Sequence, residues 1–249
     1  MRIDLNCDLG EGMGADAELM PLITSANIAC GSHAGDAATM KAAVDLARQH
    51  GVAIGAHPGF ADRDGFGRRD ETVGAADARK IVSDQIRALQ EVAHAAGARV
   101  THVKPHGALY NMAARDVVLA RAIAEAVRDC DPALVLVGLA GSHLVAEAGP
   151  CGLRAAAEAF ADRRYQPNGL LVPRSEPHAV LVDEADVAAQ AVGLARDGRV
   201  VAVDGTVLGI RADTLCVHGD GARAVDALRV VRAALAASGV VVRPFVEPS

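Results

Sequence analysis

The sequence predicts an α/β fold: an irregular seven-stranded parallel β/α barrel with one β-hairpin excursion, a single domain over residues 1–249. Three observations carry this expectation. Short apolar runs alternate with amphipathic helical stretches, which implies a parallel sheet covered on both faces or closed on itself. Six of the runs end on charged or metal-capable side chains, as strands do where their C-termini open onto the catalytic face of a barrel. A chain of 249 residues with 51% hydrophobic content suits one barrel core. An open doubly wound sheet is the alternative.

The elements follow in order. Strands are expected to start near Arg2, Ser25, Val52, Val100, Leu134, Arg154 and Thr214. Thr39–Gln49 carries Met40, Ala43, Val44 and Ala47 on one face, and Gly51 is placed to end it. Ala75–Ala96 is the longest helical stretch, with Ile81, Ile86, Leu89, Val92 and Ala93 near a 3.6-residue period and Gly97 as a stop. Asp116–Asp129 is a helix ended before Pro132. Leu134–Leu139 is continuously apolar, as a buried parallel strand is. Ser142 caps a short helix to Ala148. Glu184–Arg196 and Ala222–Ala237 are the last two helices, followed by Gly198 and Gly239, and Val240–Val242 is a short final strand. Arg199–Val203 and Thr206–Ile210 flank Asp204-Gly205, a strong turn dipeptide, and read as a hairpin before the last barrel strand.

Composition excludes several classes. A formal charge of −6 argues against a nucleic-acid partner. No apolar run reaches the roughly 18 residues of a membrane span. Met1-Arg2-Ile3-Asp4 turns acidic at once and lacks a signal-peptide core, and five irregularly spaced cysteines make no disulfide framework. The expected compartment is the cytoplasm. Phosphate-loop, Gly-x-Ser-x-Gly and His-Glu-x-x-His patterns are missing from the sequence.

The chemistry concentrates after the strands. Asn6-Cys7-Asp8-Leu9-Gly10-Glu11 offers Asp8 as a general base or metal ligand supported by Glu11; an ordinary capped loop fits equally. In Cys30-Gly31-Ser32-His33-Ala34-Gly35-Asp36, Asp36 serves as a helix cap, whereas His33 has no such structural duty. His57 closes an apolar strand and is restricted by Pro58, a good setting for a metal ligand or proton carrier. The charged, Gly-rich loop Asp62–Arg69 is a lid, a partner surface or a solvated loop. Val103-Lys104-Pro105-His106-Gly107 is the sharpest motif: a lysine at a strand end is costly to bury without an anion, and His106, two residues on, faces the same side. Glu158 leads into Asp162, Arg163 and Arg164; the arginines are expected to clamp a carboxylate or to pair with Asp162, with the two roles divided between them. His218 and Asp220 follow the last strand, and Asp220 doubles as a helix cap. His50, His94, His102, His143 and His178 are assigned to helix ends, loops or core, and Cys7 and Cys30 to structure.

In this order, Asp4–Glu11, Ser25–Asp36, Gly55–Pro58 with Gly65–Arg69, Val103–Asn111, Glu158–Tyr165 and Cys216–Asp220 resemble the LamB/YcsF family, the A-type subunits of 5-oxoprolinase. The likeness spans nearly the whole chain. Ser32 replaces an expected aromatic and Asn168 an expected acid. The resemblance implies a barrel related to polysaccharide deacetylases, ATP-dependent opening of 5-oxoproline to L-glutamate, and two partner subunits, which are expected to handle most of the ATP because this sequence has no phosphate loop. It leaves homo-oligomerisation open. On this reading Asp8, His57, Lys104, His106 and His218 are catalytic, and Asn6, His33, Glu158, Arg163, Arg164 and Asp220 bind substrate. Lys104 or Arg163 would hold the substrate carboxylate or the activated oxygen. Asp8 with His57 or His106 would activate water, and His218 or Asp220 would protonate the leaving nitrogen. Two rivals are a stand-alone amidase or deacetylase with a divalent metal on Asp8, His33 and His57, and a non-catalytic subunit that binds a small anion.

Overall fold

The computed structural model describes residues 1–218 and 223–248. The chain runs β1 (Arg2–Leu9), α1 (Asp16–Leu19), β2 (Ser25–Ala29), α2 (Ala37–His50), β3 (Ala53–His57) and α3 (Ala75–Ala95). It continues through β4 (His102–Val103), α4 (Gly107–Arg115), α5 (Val117–Cys130), β5 (Val135–Leu139), α6 (His143–Ala148) and β6 (Arg154–Phe160). It ends with α7 (Glu184–Val192), β7 (Arg199–Val201), β8 (Val207–Gly209), β9 (Thr214–Cys216), α8 (Ala224–Ala237) and β10 (Val241–Val242).

Seven parallel strands, β1 to β6 and then β9, close a barrel. Thr214 of β9 stands opposite both Glu158 of β6 and Asp4 of β1, and this double pairing removes the sheet edges. β10 pairs in parallel with the start of β1. The hairpin β7–β8 lies outside the barrel, with Arg199 opposite Gly209. Its loop is one residue longer than a two-residue Asp-Gly turn: Gly205 donates to the Ala202 carbonyl, Ala202 donates to the Thr206 carbonyl, and Gly205 takes a φ of 88°. That is a type I turn closed by a glycine bulge.

Local chemistry sets the helices. Asp36 caps α2 through the amides of Ala38 and Thr39, and Gly51 ends it in the left-handed region. Asp116 and Ser142 cap α5 and α6. In α3 the fully buried stripe is Ala78, Val82, Ile86, Leu89 and Ala93, while Ile81 and Val92 are half-buried at its border. α7 is shorter than expected. At Gly193 it widens into a π-turn that runs to Asp197. The expected start of α8 at Ala222 lies outside the described residues; the helix begins at Ala224. α4 is an addition, since the Lys-Pro-His-Gly stretch carries no helix signal and the helix starts on Gly107 directly after it.

The barrel interior is unusually polar. Most barrels of this kind fill the centre with layers of Val, Ile and Leu. Here alternate residues of β1, β2, β4, β6 and β9 bring Asp4, Asn6, Asp8, Ser25, Asn27, His102, Glu158 and Thr214 inside, all buried. Asp4 accepts hydrogen bonds from the hydroxyls of Thr24, Ser25 and Thr214. Asn6 donates to Glu158 Oε1 (2.9 Å) and Thr214 Oγ1 (2.6 Å). Asn27 donates to Asn6 Oδ1 (2.8 Å) and Asp8 Oδ1 (2.9 Å), and His102 Nε2 donates to Asn27 Oδ1 (3.1 Å). Each of these buried groups thus has a partner, as burial requires. An apolar plug of Ala53, Val135, Val137, Ala156 and Val246, with Phe245 against it, completes the interior. Gly55 makes room for His102: a Cβ there would lie 2.0 Å from its Nε2.

Candidate active site

The open end of the barrel is a cavity of about 490 Å³, and Asp8, Glu11, His57, Lys104, His106, Arg163 and His218 are among its walls. Strands β1, β3 and β9 and the loop after β4 thus deliver the expected polar endings to one place.

Lys104 is the hub. Its Nζ lies 2.9 Å from Asp8 Oδ1, 2.8 Å from Glu158 Oε1, 3.2 Å from Asn6 Oδ1 and 3.2 Å from Cys216 Sγ. The anions that make its burial tolerable are therefore the protein's own carboxylates. Burial alone would depress the Lys104 ammonium, but Asp8 first, with Cys216 and Glu158 beside it, holds it well above its ordinary value. Burial pushes Asp8 upward, and His57 and Lys104 outweigh that and hold its carboxyl well below the usual range. Glu158 is fully buried and also accepts from the Tyr110 hydroxyl at 2.7 Å. Asn6 and Glu158, expected to bind substrate, instead belong to this network beneath the cavity floor, and neither lines the cavity.

Beside it stand three histidines and Glu11. His57 Nδ1 donates to the Lys104 carbonyl at 2.7 Å, and its Nε2 lies 3.3 Å from Asp8 Oδ2 and 2.9 Å from His106 Nδ1. His106 Nε2 donates to the Phe66 carbonyl at 2.8 Å. Phe66 holds a φ of 55°, costly for a bulky residue, and this conformation aims its carbonyl at the imidazole. His33 is buried and stacks on His106 with ring centroids 3.8 Å apart. Burial pushes His33 down to about 3 and His106 well below its ordinary value, so both stay neutral. Gly67 lets the loop close over these rings: a Cβ there would meet His33 Cβ at 2.8 Å. His33 is not among the cavity-lining residues and meets the cavity only through its neighbours.

His218 is oriented from the opposite wall. Its Nδ1 lies 2.9 Å from Asp162 Oδ2, and the same carboxylate accepts the His218 amide at 3.1 Å. Burial would raise Asp162, and the His218 contact brings it net below its ordinary value. Asp162 does not pair with the adjacent arginines; its partner is a histidine 56 residues away. Arg163 is buried, borders the cavity, and gives donors to the carbonyls of Val172 (2.5 Å) and Ala179 (3.4 Å). Burial lowers its guanidinium to about 10. Arg164 is exposed and does not line the cavity, so the two arginines form no joint clamp. Successive residues of an extended segment face opposite ways, which explains the difference. Arg68 and Arg174, not singled out in the sequence, also border the cavity. Asp220 lies outside the described residues, and Asn168 is an exposed turn residue that caps the Leu170 amide. Cys7 and Cys30 are buried free thiols, raised by burial, Cys30 to about 12.

Among the described residues, four whose ligand atoms lie within 4.8 Å of one another are Glu11, His33, His57 and His106. Asp8, expected in a metal set with His33 and His57, gives Oδ1 to Lys104 and Asn27 and approaches that group only through Oδ2. No helix among the described residues is long and apolar enough to cross a membrane.

Comparison with known proteins agrees over the whole length. The chain is 53% identical over 250 residues to the 5-oxoprolinase A-type subunit of Paracidovorax citrulli, covering 98% of this chain and 100% of the relative. It is 50% identical over 245 residues to the 5-oxoprolinase A-type subunit of Staphylococcus carnosus, covering 96% and 97%. Among solved structures, the lactam utilization protein of Thermus thermophilus superposes with a TM-score of 0.91 at 46% identity, over 98% of this chain and 100% of that one. A putative cellobiose-phosphate cleavage protein of Enterococcus faecalis, 12% identical with a TM-score of 0.62 over 98% of this chain and 97% of that one, shares the fold alone. The LamB/YcsF profile matches residues 3–249, the span that carries the barrel and its polar centre, and the chain belongs to the LamB/YcsF family.

Proposed function

We propose that this chain is one component of an ATP-dependent 5-oxoprolinase, which opens the 5-oxoproline lactam to L-glutamate as ATP is hydrolysed to ADP and phosphate. The observation that carries the reading is one cavity that joins an ionised Asp8, an Asp-oriented His218 and a buried Arg163. Relatives of matching length named as 5-oxoprolinase subunits support it. A small lactam with one carboxylate suits a cavity of about 490 Å³.

The geometry redistributes the roles. Arg163 takes the substrate carboxylate, since a guanidinium has five donors and the two carbonyls occupy only part of them. Lys104 is spent on Asp8 and Glu158, so it positions Asp8 instead of greeting substrate. His218 carries the proton. With Nδ1–H directed to Asp162, its Nε2 takes a proton from the attacking water and returns it to the ring nitrogen as the C–N bond breaks. Asp8 orients that water. The sequence has no phosphate loop, so two partner subunits supply the ATP chemistry, which activates the amide by phosphorylating its oxygen with release of ADP; ring opening by the first water leaves γ-glutamyl phosphate, and a second water cleaves it to glutamate and phosphate. The test is glutamate release from 5-oxoproline and ATP by the assembled complex, with this chain present or omitted. Release that requires the chain, and a raised KM in Arg163→Ala, support the reading; release at the same rate without the chain overturns it.

A further inference from the structure

We infer that Glu11, His33, His57 and His106 form a binding site for one divalent transition-metal ion of the zinc, cobalt or nickel class. Main-chain oxygens place the protons of this group. The Lys104 carbonyl fixes a hydrogen on His57 Nδ1, and the Phe66 carbonyl fixes one on His106 Nε2. When His57 carries no second proton, both inner nitrogens, His57 Nε2 and His106 Nδ1, present lone pairs to each other at 2.9 Å, and a proton on Nε2 is what Asp8 otherwise meets. Two lone pairs at that distance need a cation between or beside them. A histidine with its outer N–H held by a backbone carbonyl is also how metal-ligating imidazoles are oriented.

A shared proton would satisfy those two nitrogens and nothing else. His33 is 1% exposed, and neither of its ring nitrogens has a hydrogen-bond partner. A buried imidazole with two unsatisfied nitrogens is expensive, and a metal ion relieves it. His33 Nε2 lies 3.5 Å from Glu11 Oε1, and the same oxygen lies 3.6 Å from His106 Nδ1. Ligand atoms around a tetrahedral ion with bonds of roughly 2.1 Å stand about 3.4 Å apart, close to these separations. The rings of His33 and His106 are parallel, so joint coordination tilts one of them; His57 already stands at 86° to His106. Three imidazoles and one carboxylate favour borderline ions over calcium or magnesium. Asp8 Oδ2, 3.3 Å from His57 Nε2, stands at the rim of the same group.

Binding is measured without substrate or partners, so its outcome is separate from that of the lactam reading. Full-length chain stripped with a chelator is titrated with Zn²⁺ by calorimetry and with Co²⁺ by visible absorption. The expected result is about one ion per chain, with ligand-field bands for Co²⁺. Glu11→Gln and His106→Ala should weaken binding by more than the 10–100-fold typical of losing a group that only orients a ligand, whereas His50→Ala should leave it unchanged. Equal binding in all variants overturns the site. If His106→Ala does not fold, the wild-type chain still decides, because no saturable uptake of either ion overturns it too.

Discussion

Replacing Lys104 by Met tests the centre of the barrel most directly. The side chains are similar in length, and only the charge and its hydrogen bonds are lost. In the wild type, Nζ sits 2.9 Å from Asp8 and 2.8 Å from Glu158. Each contact is worth about 6 kcal/mol of gross attraction at an effective dielectric of about 20. Desolvating the ions takes back several kcal/mol apiece. What the substitution leaves is two buried carboxylates with no cation between them, and breaking a buried pair in this way costs about 3–5 kcal/mol. For a chain of this size, about 2–4 °C per kcal/mol gives a fall in melting temperature of about 6–20 °C. The loss should also depend on pH. Without Lys104 a buried carboxylate has its folded pKa raised above the unfolded value, so the variant's stability falls as pH rises from about 5 to 8. Adding Glu158→Gln should restore part of the loss. Urea denaturation followed by circular dichroism measures the cost, its pH dependence and the rescue, and thermal melts give the fall in melting temperature. A cost below about 1 kcal/mol that is independent of pH and additive in the double variant would refute the reasoning.

Three further outcomes are expected. Asp162→Asn removes the acceptor that sets the His218 tautomer; kcat of the assembled complex should fall about 10²–10⁴-fold with KM little changed, and an unchanged kcat removes His218 from proton transfer. Burial raises Asp4 from 3.8 to about 6 against the pull of its three hydroxyl donors; the folded state then holds the proton longer than the unfolded one, so about 3 kcal/mol of stability is lost as pH rises through 4 to 6. Asp4→Asn should flatten that slope in denaturation curves, and an identical slope in both proteins counts against the assignment. Gly55→Ala would place a methyl 2.0 Å from a His102 ring that Phe245 backs at 5.3 Å; a loss of about 1–3 kcal/mol is expected in the same assay, and a neutral result would show that the ring can move.

Much of this architecture is legible in the sequence because its signals are local. Apolar runs, caps and glycine stops place β1, β2, β3, β5, β6 and the helices α2, α3 and α5 within a few residues of where they stand. The hairpin shows in its dipeptide, although the extra loop residue does not. What escapes depends on pairing at a distance. The counter-ion Asp8 lies 96 residues from Lys104, and Asp162 lies 56 residues from His218. No spacing rule connects them. Glu11 stands beside Asp8 in sequence, yet it turns towards the histidines. Two local signals do point to the site. Asn27 is a polar residue two on from Ser25 in a strand whose other residues are apolar, opposite Asp8 in register, which marks an inward-facing position. Arg164 follows Arg163 in an extended segment, so alternation already separates them. α4 is hidden because its first turn directly follows a motif rich in chemistry, and Gly107 opens it without a side-chain cap.

The two ways of aiming an imidazole here have different fates under mutation. His218 depends on the carboxylate of Asp162, so a single codon change can set it loose. His57 and His106 lean on main-chain oxygens, those of Lys104 and Phe66, which every amino acid supplies. No replacement deletes them; only a change that bends the backbone can. A saturation scan of this gene would therefore flag Asp162 as a partner of His218 while finding no side chain that answers for the other two. Random drift has a short route to disabling one half of the centre and a long one to disabling the other.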